Sequence, residues 1–444
     1  MSIRSKLARL HETTRVAAGA AASANEAFTP ATDAPTAQDS QLQRLRKRLE
    51  RSLGRSLGKA TTKEAVPPDG FARTDTPGGP LFIKQVRFGR GSTLGSQPLD
   101  RARGASAQML ALLALDPKVA QTDVVNFLYL DTETTGLSHG AGTVPFLVGL
   151  SFWEQEELVV EQLLLTNFGE EGPILQHVLE RLSRASALVT FNGKSFDIPL
   201  LRARAIMEKI QLTIEVPHID LVHIARRIHR IRNIECSLST LERELLGFER
   251  ENDVGGAAIP AIYTKYLKTR KPEGIAQVLA HNELDMLAMV ALVGLYGAPL
   301  AQLDGADLAG VARTLRRAGS HDQAHTVANH AATALGSIDA VKERALAEKA
   351  RGNRHEALAD FEAFVIQVDD PESRLELAKL YEHFVHSPDA ALKMAILGTS
   401  ESPARAAERR SRLERKTRRR KREGQPSLPG IVIDRDPCRT AKNR

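Results

Sequence analysis

The chain has 444 residues, which allows two or three domains, and 42% of them are hydrophobic, so most of the chain can bury a core. Its two cysteines, Cys236 and Cys438, exclude a disulfide-stabilised scaffold and a four-thiolate zinc site. So few cysteines favour a reducing compartment, and we expect a cytoplasmic protein. The 61 Lys and Arg residues outnumber the 54 Asp and Glu residues, which gives a net charge of +7.

The positive charge is concentrated in two short segments. Residues 405–422 hold eleven Lys and Arg against two Glu, and residues 41–60 hold seven against one. The rest of the chain is therefore net negative, and we predict an acidic body with two basic appendages. We expect residues 401–444 to be a disordered basic tail. This tail either binds phosphate by charge alone or only solubilises the protein.

The first 77 residues are rich in Ala, Thr, Ser and Pro, a composition typical of disorder. One stretch differs, because five leucines three or four residues apart predict an amphipathic helix with arginines on its other faces: Leu42, Leu45, Leu49, Leu53 and Leu57. Docking of this helix on the body is favoured over a dedicated nucleic-acid arm. Residues 78–122 form a lead-in segment with a short helix predicted at 109–115.

Two segments resemble targeting or membrane signals. The run at 16–24 consists mainly of Ala and Gly, which is too weakly apolar for a signal peptide. Residues 286–303 are uncharged over a length that could cross a bilayer, but Gly294, Gly297 and Pro299 interrupt them. A buried core helix is the better interpretation, and we expect no membrane partner.

The clearest pattern lies between residues 123 and 300. Apolar runs predict strands at 124–130, 143–153, 158–165, 187–191 and 218–220. Helical periodicity predicts helices at 171–184, 196–207, 221–230, 238–246 and 273–296. Three strands followed by alternating helices and strands predict an α/β domain with a mixed sheet flanked by helices.

Only helices are predicted after residue 304. Ala324, Ala357 and Ala390 occupy similar settings at intervals of 33 residues. This interval is close to the period of about 34 residues that is typical of tetratricopeptide repeats. We expect an all-α helical-repeat domain over residues 305–400, with an irregular helical bundle as the alternative. Such repeats ordinarily offer a concave surface to a protein partner.

Three acidic motifs lie in the α/β region. Asp131 and Glu133 end the first strand two residues apart, so both point to the same face. Asp197 follows the 187–191 strand after a short turn and opens a helix. His281 and Asp285 are four residues apart, one turn of a predicted helix.

Four carboxylates from three elements would repel one another if they converged without cations. Two divalent cations would offset that repulsion, and hard oxygen ligands suit Mg²⁺ or Mn²⁺ rather than zinc. Two such ions can activate a water molecule and stabilise the leaving oxygen of a phosphodiester. A neighbouring histidine such as His281 can take the proton of that water.

The three motifs resemble those of the DEDD group of 3′-to-5′ exonucleases, which have the RNase H-like fold. The stretch from about 120 to 297 is similar to a bacterial branch of that group, the YprB-like proteins. The shared segments are Asp131–Gly136, 191–200, Cys236-Ser-Leu, Asp253-Val-Gly, Ile259-Pro and His281-Asn-x-x-Asp285. The resemblance implies that Asp131, Glu133, Asp197 and Asp285 are the metal ligands. One departure is that the group has a histidine five residues, or a tyrosine four residues, before the last aspartate, whereas His281 stands four before it.

The motifs also supply candidate contacts to substrate: Thr134, Gly136, Asn192 and Phe196. Asn192 either caps its turn or touches substrate. Asp220 is a candidate supporting residue, and His223 and His229 are expected at the surface. We expect a metal-dependent nuclease acting on a single-stranded end of DNA or RNA. The alternatives are an inactive nucleic-acid-binding scaffold that recruits a partner through its repeats, and a pure protein-interaction module.

Overall fold

The computed structural model describes residues 66–136, 142–298 and 303–423. The predicted helix at 42–57, most of the N-terminal arm and residues 424–444 lie outside these ranges. Within them, a mixed α/β domain is followed by a domain made only of helices. The predicted fold class is therefore confirmed.

A seven-stranded sheet is the frame of the α/β domain. The strands of the domain, including the two of a separate small sheet, are in chain order β1 (Ala72–Thr76), β2 (Gly79–Phe88), β3 (Thr93–Leu94), β4 (Gln97–Pro98), β5 (Phe127–Thr134), β6 (Pro145–Glu154), β7 (Glu157–Leu164), β8 (Ala187–Thr190) and β9 (His218–Asp220). The sheet order is β1-β2-β7-β6-β5-β8-β9, and β3 pairs only with β4. Pairing is parallel between β5, β8 and β9 and antiparallel elsewhere. β5 is an interior strand between β6 and β8, so its end is a natural meeting point of neighbouring elements.

Seven helices cover the two faces of this sheet. They are α1 (Ala107–Ala114), α2 (Gly172–Arg184), α3 (Asp197–Met207), α4 (Leu221–Ile228), α5 (Leu238–Leu241), α6 (Ile259–Thr269) and α7 (Ile275–Gly297). A π-helical turn, Glu242–Leu246, continues α5. Alternate residues of β5 enter different cores. Phe127 and Tyr129 pack with α1 and α4, whereas Leu128 and Leu130 pack with α2 and α3. This period of two is the reason for a continuous apolar run in a strand that is covered on both faces.

Helix α7 belongs to both cores. Its first turns, including Val278 and Leu279, pack in the core that contains α2 and α3, and the part from Met286 onward packs in the other. The helix is long and apolar enough to cross a membrane, but 72% of its most apolar 18-residue window is buried inside the protein. It is therefore a core helix of this fold. The interval between Leu279 and Met286, where the helix changes cores, contains two of the predicted site residues, His281 and Asp285.

The sheet begins earlier than the sequence indicated. Strands β1 and β2 lie in segments that we expected to be a disordered arm and a lead-in, and β2 pairs with β7 over seven residues from Phe82 to Phe88. The prediction that the sheet starts near residue 123 is wrong. Its apolar signal is diluted because β2 carries polar residues such as Lys84, Gln85 and Arg87 among its buried ones.

The C-terminal domain consists of three consecutive helix pairs and one long final helix. The helices are α8 (Gly305–Arg317), α9 (His321–Thr333), α10 (Ile338–Arg351), α11 (Arg354–Gln367), α12 (Pro371–His383), α13 (Pro388–Leu397) and α14 (Pro403–Arg422). The three alanines at intervals of 33 lie near the starts of α9, α11 and α13, and all are buried. The interval thus corresponds to one helix pair. Assignment to the tetratricopeptide type stays a prediction.

The last helix contradicts the prediction of a disordered tail, because residues 403–422 are helical. Glu382 on α12 has a fully buried side chain, and it accepts hydrogen bonds from Arg412 (2.8 Å) and Lys416 (2.7 Å). Leu413 is buried on the same side of the helix. The segment by itself is too polar to predict packing, and its sequence does not indicate that Glu382 lies beside it.

His229 lies between the two domains rather than at the surface as expected. Its Nδ1 atom is 2.8 Å from Asp307 on α8, its Nε2 atom is 3.1 Å from the hydroxyl of Tyr296, and the ring is fully buried. Arg232 adds an ion pair of 2.9 Å to Asp307. The prediction for His229 is wrong because its partner comes from a separate domain 78 residues away.

Glu161 gives a stability prediction for the α/β domain. Its side chain on β7 is fully buried and bonded to Arg181 (2.7 Å), Gln85 (2.6 Å) and His177 (2.6 Å). Burial alone would raise its pKa, but these three partners lower it from the ordinary 4.5 to about 2. A pKa depressed by folding contributes stability above the unfolded value, which is lost as pH falls toward the folded one.

We expect Glu161→Gln to lower the free energy of unfolding at pH 7 by about 2–4 kcal/mol, because it leaves buried partners uncompensated. The difference in free energy of unfolding between the variant and the wild type should shrink as pH falls from about 5 to 2. Urea denaturation at a series of pH values measures it. Glu180→Gln, on an exposed residue of α2, is the control and should change stability by less than about 0.5 kcal/mol. A difference that stays constant with pH would contradict this account of Glu161.

Candidate active site

Strand β5 supplies two of the predicted carboxylates. Asp131 and Glu133 follow Tyr129 at intervals of two and therefore share its face. Burial, with Asp285, Asp197 and Glu133 as further negative neighbours, raises the pKa of Asp131 well above its usual range. Burial and the Asp285 charge likewise raise the pKa of Glu133 to about 7. Both shifts report a cluster of negative charges that water reaches poorly.

The turn between β8 and α3 supplies Asp197. Asn192 adopts a left-handed conformation with φ of 65°, and a side chain at Gly193 would crowd Thr190. Asp220, at the end of β9, accepts hydrogen bonds from the backbone amides of Asn192 (2.7 Å) and Lys194 (3.0 Å). Asp220 therefore supports the turn, and Asn192 shapes it.

Asp197 is the first residue of α3, and it is buried. One of its carboxylate oxygens accepts a hydrogen bond of 2.5 Å from the hydroxyl of Thr132. Burial raises the pKa of Asp197 to about 6, although the Thr132 bond opposes the rise. The bond to β5 fixes Asp197 beside the strand that carries Asp131 and Glu133.

Helix α7 is held against the sheet through Asn282. Its amide nitrogen donates a 3.0 Å hydrogen bond to Asp131, and its amide oxygen accepts one of 3.2 Å from Gln162. Gly149 pairs with Asp131 on one side and with Gln162 on the other, and a side chain there would overlap the Asn282 amide. Only glycine at this position lets the helix approach so closely. Asn282 thus sets the height of α7 above the sheet.

That position brings His281 and Asp285 to Glu133. The His281 Nε2 atom lies 3.9 Å from Glu133 and 3.6 Å from Asp285, and its Nδ1 atom lies 2.7 Å from Asp253. Burial lowers the pKa of His281, but Asp285 and the Asp253 hydrogen bond raise it by more, so the net shift is upward. Asp253 therefore fixes which ring nitrogen faces the carboxylates.

Ligand atoms of Glu133, His281 and Asp285 all lie within 4.8 Å of one another. This spacing suits one cation, and Asp131, which interacts electrostatically with Glu133, Asp285 and Asp197, adds carboxylate oxygens that a second cation could use. Buried carboxylates with raised pKa values are a donor set that a hard divalent cation would stabilise. The residues present therefore fit Mg²⁺ or Mn²⁺, with Asp131, Glu133, Asp197 and Asp285 as the ligands available to hold it.

Comparison with known proteins agrees with this architecture. A family model described as RNase H superfamily matches residues 128–296. The uncharacterised protein YprB of Bacillus subtilis (strain 168) is 38% identical over 169 residues, which are 38% of this chain and 41% of that protein. Residues 128–296 contain all four predicted metal ligands.

Residues 128–296 form an RNase H-like domain. The chain spans about two-fifths of the length of its YprB relative, so the similarity describes this domain alone. A solved structure, the family B DNA polymerase from the hyperthermophilic archaeon Pyrobaculum calidifontis, aligns with a TM-score of 0.31 and 12% identity over 51% of this chain and 29% of the polymerase. A TM-score of this size does not establish a common fold.

The predicted substrate contacts lie around the carboxylates of the RNase H-like domain. Phe196 immediately precedes Asp197, and its side chain is 46% exposed. Thr134 donates a 2.8 Å hydrogen bond to the carbonyl of Gly136, which shapes the backbone just after β5. An exposed aromatic ring beside buried carboxylates is the type of surface on which a base can stack.

Arg250 and its partner Glu242 also lie at the RNase H-like site, and the sequence assigned them no role. Arg250 is 7% exposed, bonds to Asp285, and binds Glu242 through two hydrogen bonds of 2.5 and 2.7 Å. It also reaches Asp253 at 3.3 Å. Burial opposes the charge of Arg250, but Glu242 and Asp285 raise its pKa further. The only available signal was its position three residues before the Asp253-Val-Gly segment.

Arg250 pairs with both Asp285 and Glu242, so its loss should be costly when no divalent ion is supplied. We expect Arg250→Gln in EDTA to lower the free energy of unfolding by about 3 kcal/mol, because two buried carboxylates lose their partner. Added Mn²⁺ should restore more stability to this variant than it adds to the wild type. Urea denaturation with and without Mn²⁺ measures both effects.

The matched control is Arg243→Gln, because Arg243 is an exposed arginine of the neighbouring π-helical turn that pairs with Glu244. It should change stability by less than about 0.5 kcal/mol. Arg250 does not balance the charge of the site if the two variants lose the same free energy of unfolding. The same conclusion follows if Mn²⁺ stabilises Arg250→Gln no more than it stabilises the wild type.

Proposed function

We propose that the protein is a metal-dependent nuclease, a 3′-to-5′ exonuclease of DEDD type that hydrolyses phosphodiester bonds of DNA or RNA by a two-metal mechanism. One observation carries the proposal. The carboxylates of Asp131, Glu133, Asp197 and Asp285 interact within one buried cluster of an RNase H-like domain, with His281 at its edge. Such a cluster is costly without cations, and it is the arrangement that phosphoryl-transfer enzymes use.

Magnesium or manganese, when bound, would offset the repulsion among these carboxylates and polarise the phosphodiester. The protein's own part is to orient the reactants. His281, held at Nδ1 by Asp253, presents Nε2 toward Glu133 and Asp285 and can take the proton of the attacking water. As the new P–O bond forms, the bond from phosphorus to the 3′-oxygen of the preceding nucleotide breaks, and that oxygen takes up a proton from solvent to become a 3′-hydroxyl. His281 stands four residues before Asp285, whereas the histidine of the DEDD group stands five before its aspartate. His281 nevertheless lies beside Glu133 and Asp285.

The substrate in this proposal is a single-stranded end. Phe196 supplies a stacking surface for the terminal base, and the backbone near Thr134 and Gly136 lies beside the carboxylates. Stacking is sequence-tolerant, since every base has a flat face. The same features serve DNA and RNA.

The second candidate function is a catalytically weak or inactive nucleic-acid-binding scaffold whose helical repeats recruit a protein partner. The contact of Arg250 with Asp285 favours it, because a guanidinium on a ligand competes with a cation there. For either function, we propose that the three helix pairs are tetratricopeptide-like, that they offer a surface to a protein partner, and that the protein acts in the cytoplasm.

The proposal is tested with strands labelled at the 5′ end, single- and double-stranded, of DNA and of RNA, in Mn²⁺, Mg²⁺ or EDTA. We expect a ladder shortened from the 3′ end, only with a divalent ion and best on single strands. Asp131→Asn should reduce the rate more than about 100-fold, exceeding the loss typical of a residue that only supports a ligand. Its stability in EDTA should rise, because one buried like charge is gone.

Asp75→Asn is the control, since Asp75 lies exposed on edge strand β1 and pairs with Arg73. Its rate should equal that of the wild type. Cleavage by Asp131→Asn at the wild-type rate would place any nuclease activity elsewhere. Tight binding of strands without cleavage under every condition would favour the scaffold.

A further inference from the structure

The last helix, α14, has two differently charged faces. On the docked face, Arg412 and Lys416 bind Glu382, and Arg409 binds Glu401 at 2.7 Å. These three cations are therefore paired with two carboxylates of the helical domain. Together they define the docked face of α14.

On the other side of α14, Arg415, Arg418 and Arg422 are exposed. We call these three residues the basic face. They are three and four residues apart, so they are neighbours along one stripe that rises about 10 Å. Within the described part of the chain, none of the three has an acidic partner.

Like charges at these spacings repel one another and destabilise an isolated helix. Docking on Glu382 and burial of Leu413 hold α14 in place in spite of this repulsion. The result is a row of three arginines whose backbone positions are set by the docked helix before any partner arrives. A preorganised row loses less entropy on binding than a disordered tail would.

We propose that the basic face binds the phosphate backbone of a single-stranded nucleic acid, as a second contact outside the cluster around Asp131. This inference rests on the proposed function for the identity of the polyanion. Guanidinium groups match phosphate oxygens in geometry as well as charge. A membrane surface fits less well, since a helix that lies on a membrane needs an exposed apolar face and Leu413 is turned inward.

The test compares two triple variants of the full chain with equal charge change. One is Arg415→Gln, Arg418→Gln and Arg422→Gln, on the basic face. The other is Arg409→Gln, Arg412→Gln and Lys416→Gln, on the docked face. Binding of a fluorescent 20-nucleotide single strand is measured in EDTA over a range of NaCl concentrations, and the thermal midpoint is recorded for each protein.

For the basic-face variant we expect a slope of log affinity against log salt that is shallower by about 2, and an affinity about tenfold lower at 150 mM NaCl. Its thermal midpoint should not fall. For the docked-face variant we expect a lower thermal midpoint. Its salt slope should change by less than half as much as that of the basic-face variant. Replacing the basic face by Lys keeps the charge and should keep the slope.

Equal slope changes in the two triple variants, or an unchanged slope in the basic-face variant, would overturn the proposal. So would displacement of the strand by phosphatidylserine vesicles or by polyglutamate more effectively than by unlabelled strand, which would indicate a membrane or an acidic protein as partner. Because binding is measured in EDTA, a protein that binds but never cleaves would refute the nuclease and leave this proposal standing.

Discussion

The repulsion among buried carboxylates at the end of β5 is the constraint on which the site depends. Burial raises the pKa values of Asp131, Glu133 and Asp197, and the charges of the neighbouring carboxylates add to the rise for Asp131 and Glu133. Folding has to hold these groups together against that repulsion. Arg250 balances part of the charge, and the packing of α7 on the sheet through Asn282 holds the carboxylates in position.

The packing of α7 is governed by a row of three residues across the sheet. Asp131, Gly149 and Gln162 are paired neighbours on β5, β6 and β7, and Asn282 lies over the glycine and bonds to both flanking side chains. The same contact therefore orients a carboxylate and fixes the helix that carries His281 and Asp285. Structure and site share one set of interactions, which explains why the helix changes from one core to the other at this point.

The sequence predicted those parts that depend on local pattern. The strands around Asp131, the helix that begins at Asp197 and the helix with His281 and Asp285 follow from apolar periodicity and turn residues, and these elements agree with the structure. Arg250, Asp253 and Asn282 were assigned no role, because their importance comes from neighbours more than 25 residues away in the chain. The same limitation applies to His229, whose partner Asp307 lies in the other domain, and to α14, which is anchored by Glu382.

The central claim is that the cluster around Asp131 binds divalent cations, and titration calorimetry of the metal-free protein with Mn²⁺ tests it most directly. The account predicts saturable binding of two ions per chain, loss of at least one ion in the double variant Asp131→Asn and Asp285→Asn, and unchanged binding in a chain that carries Asp75→Asn. Absence of saturable Mn²⁺ binding to the wild type, or binding that is the same in the double variant, would contradict it.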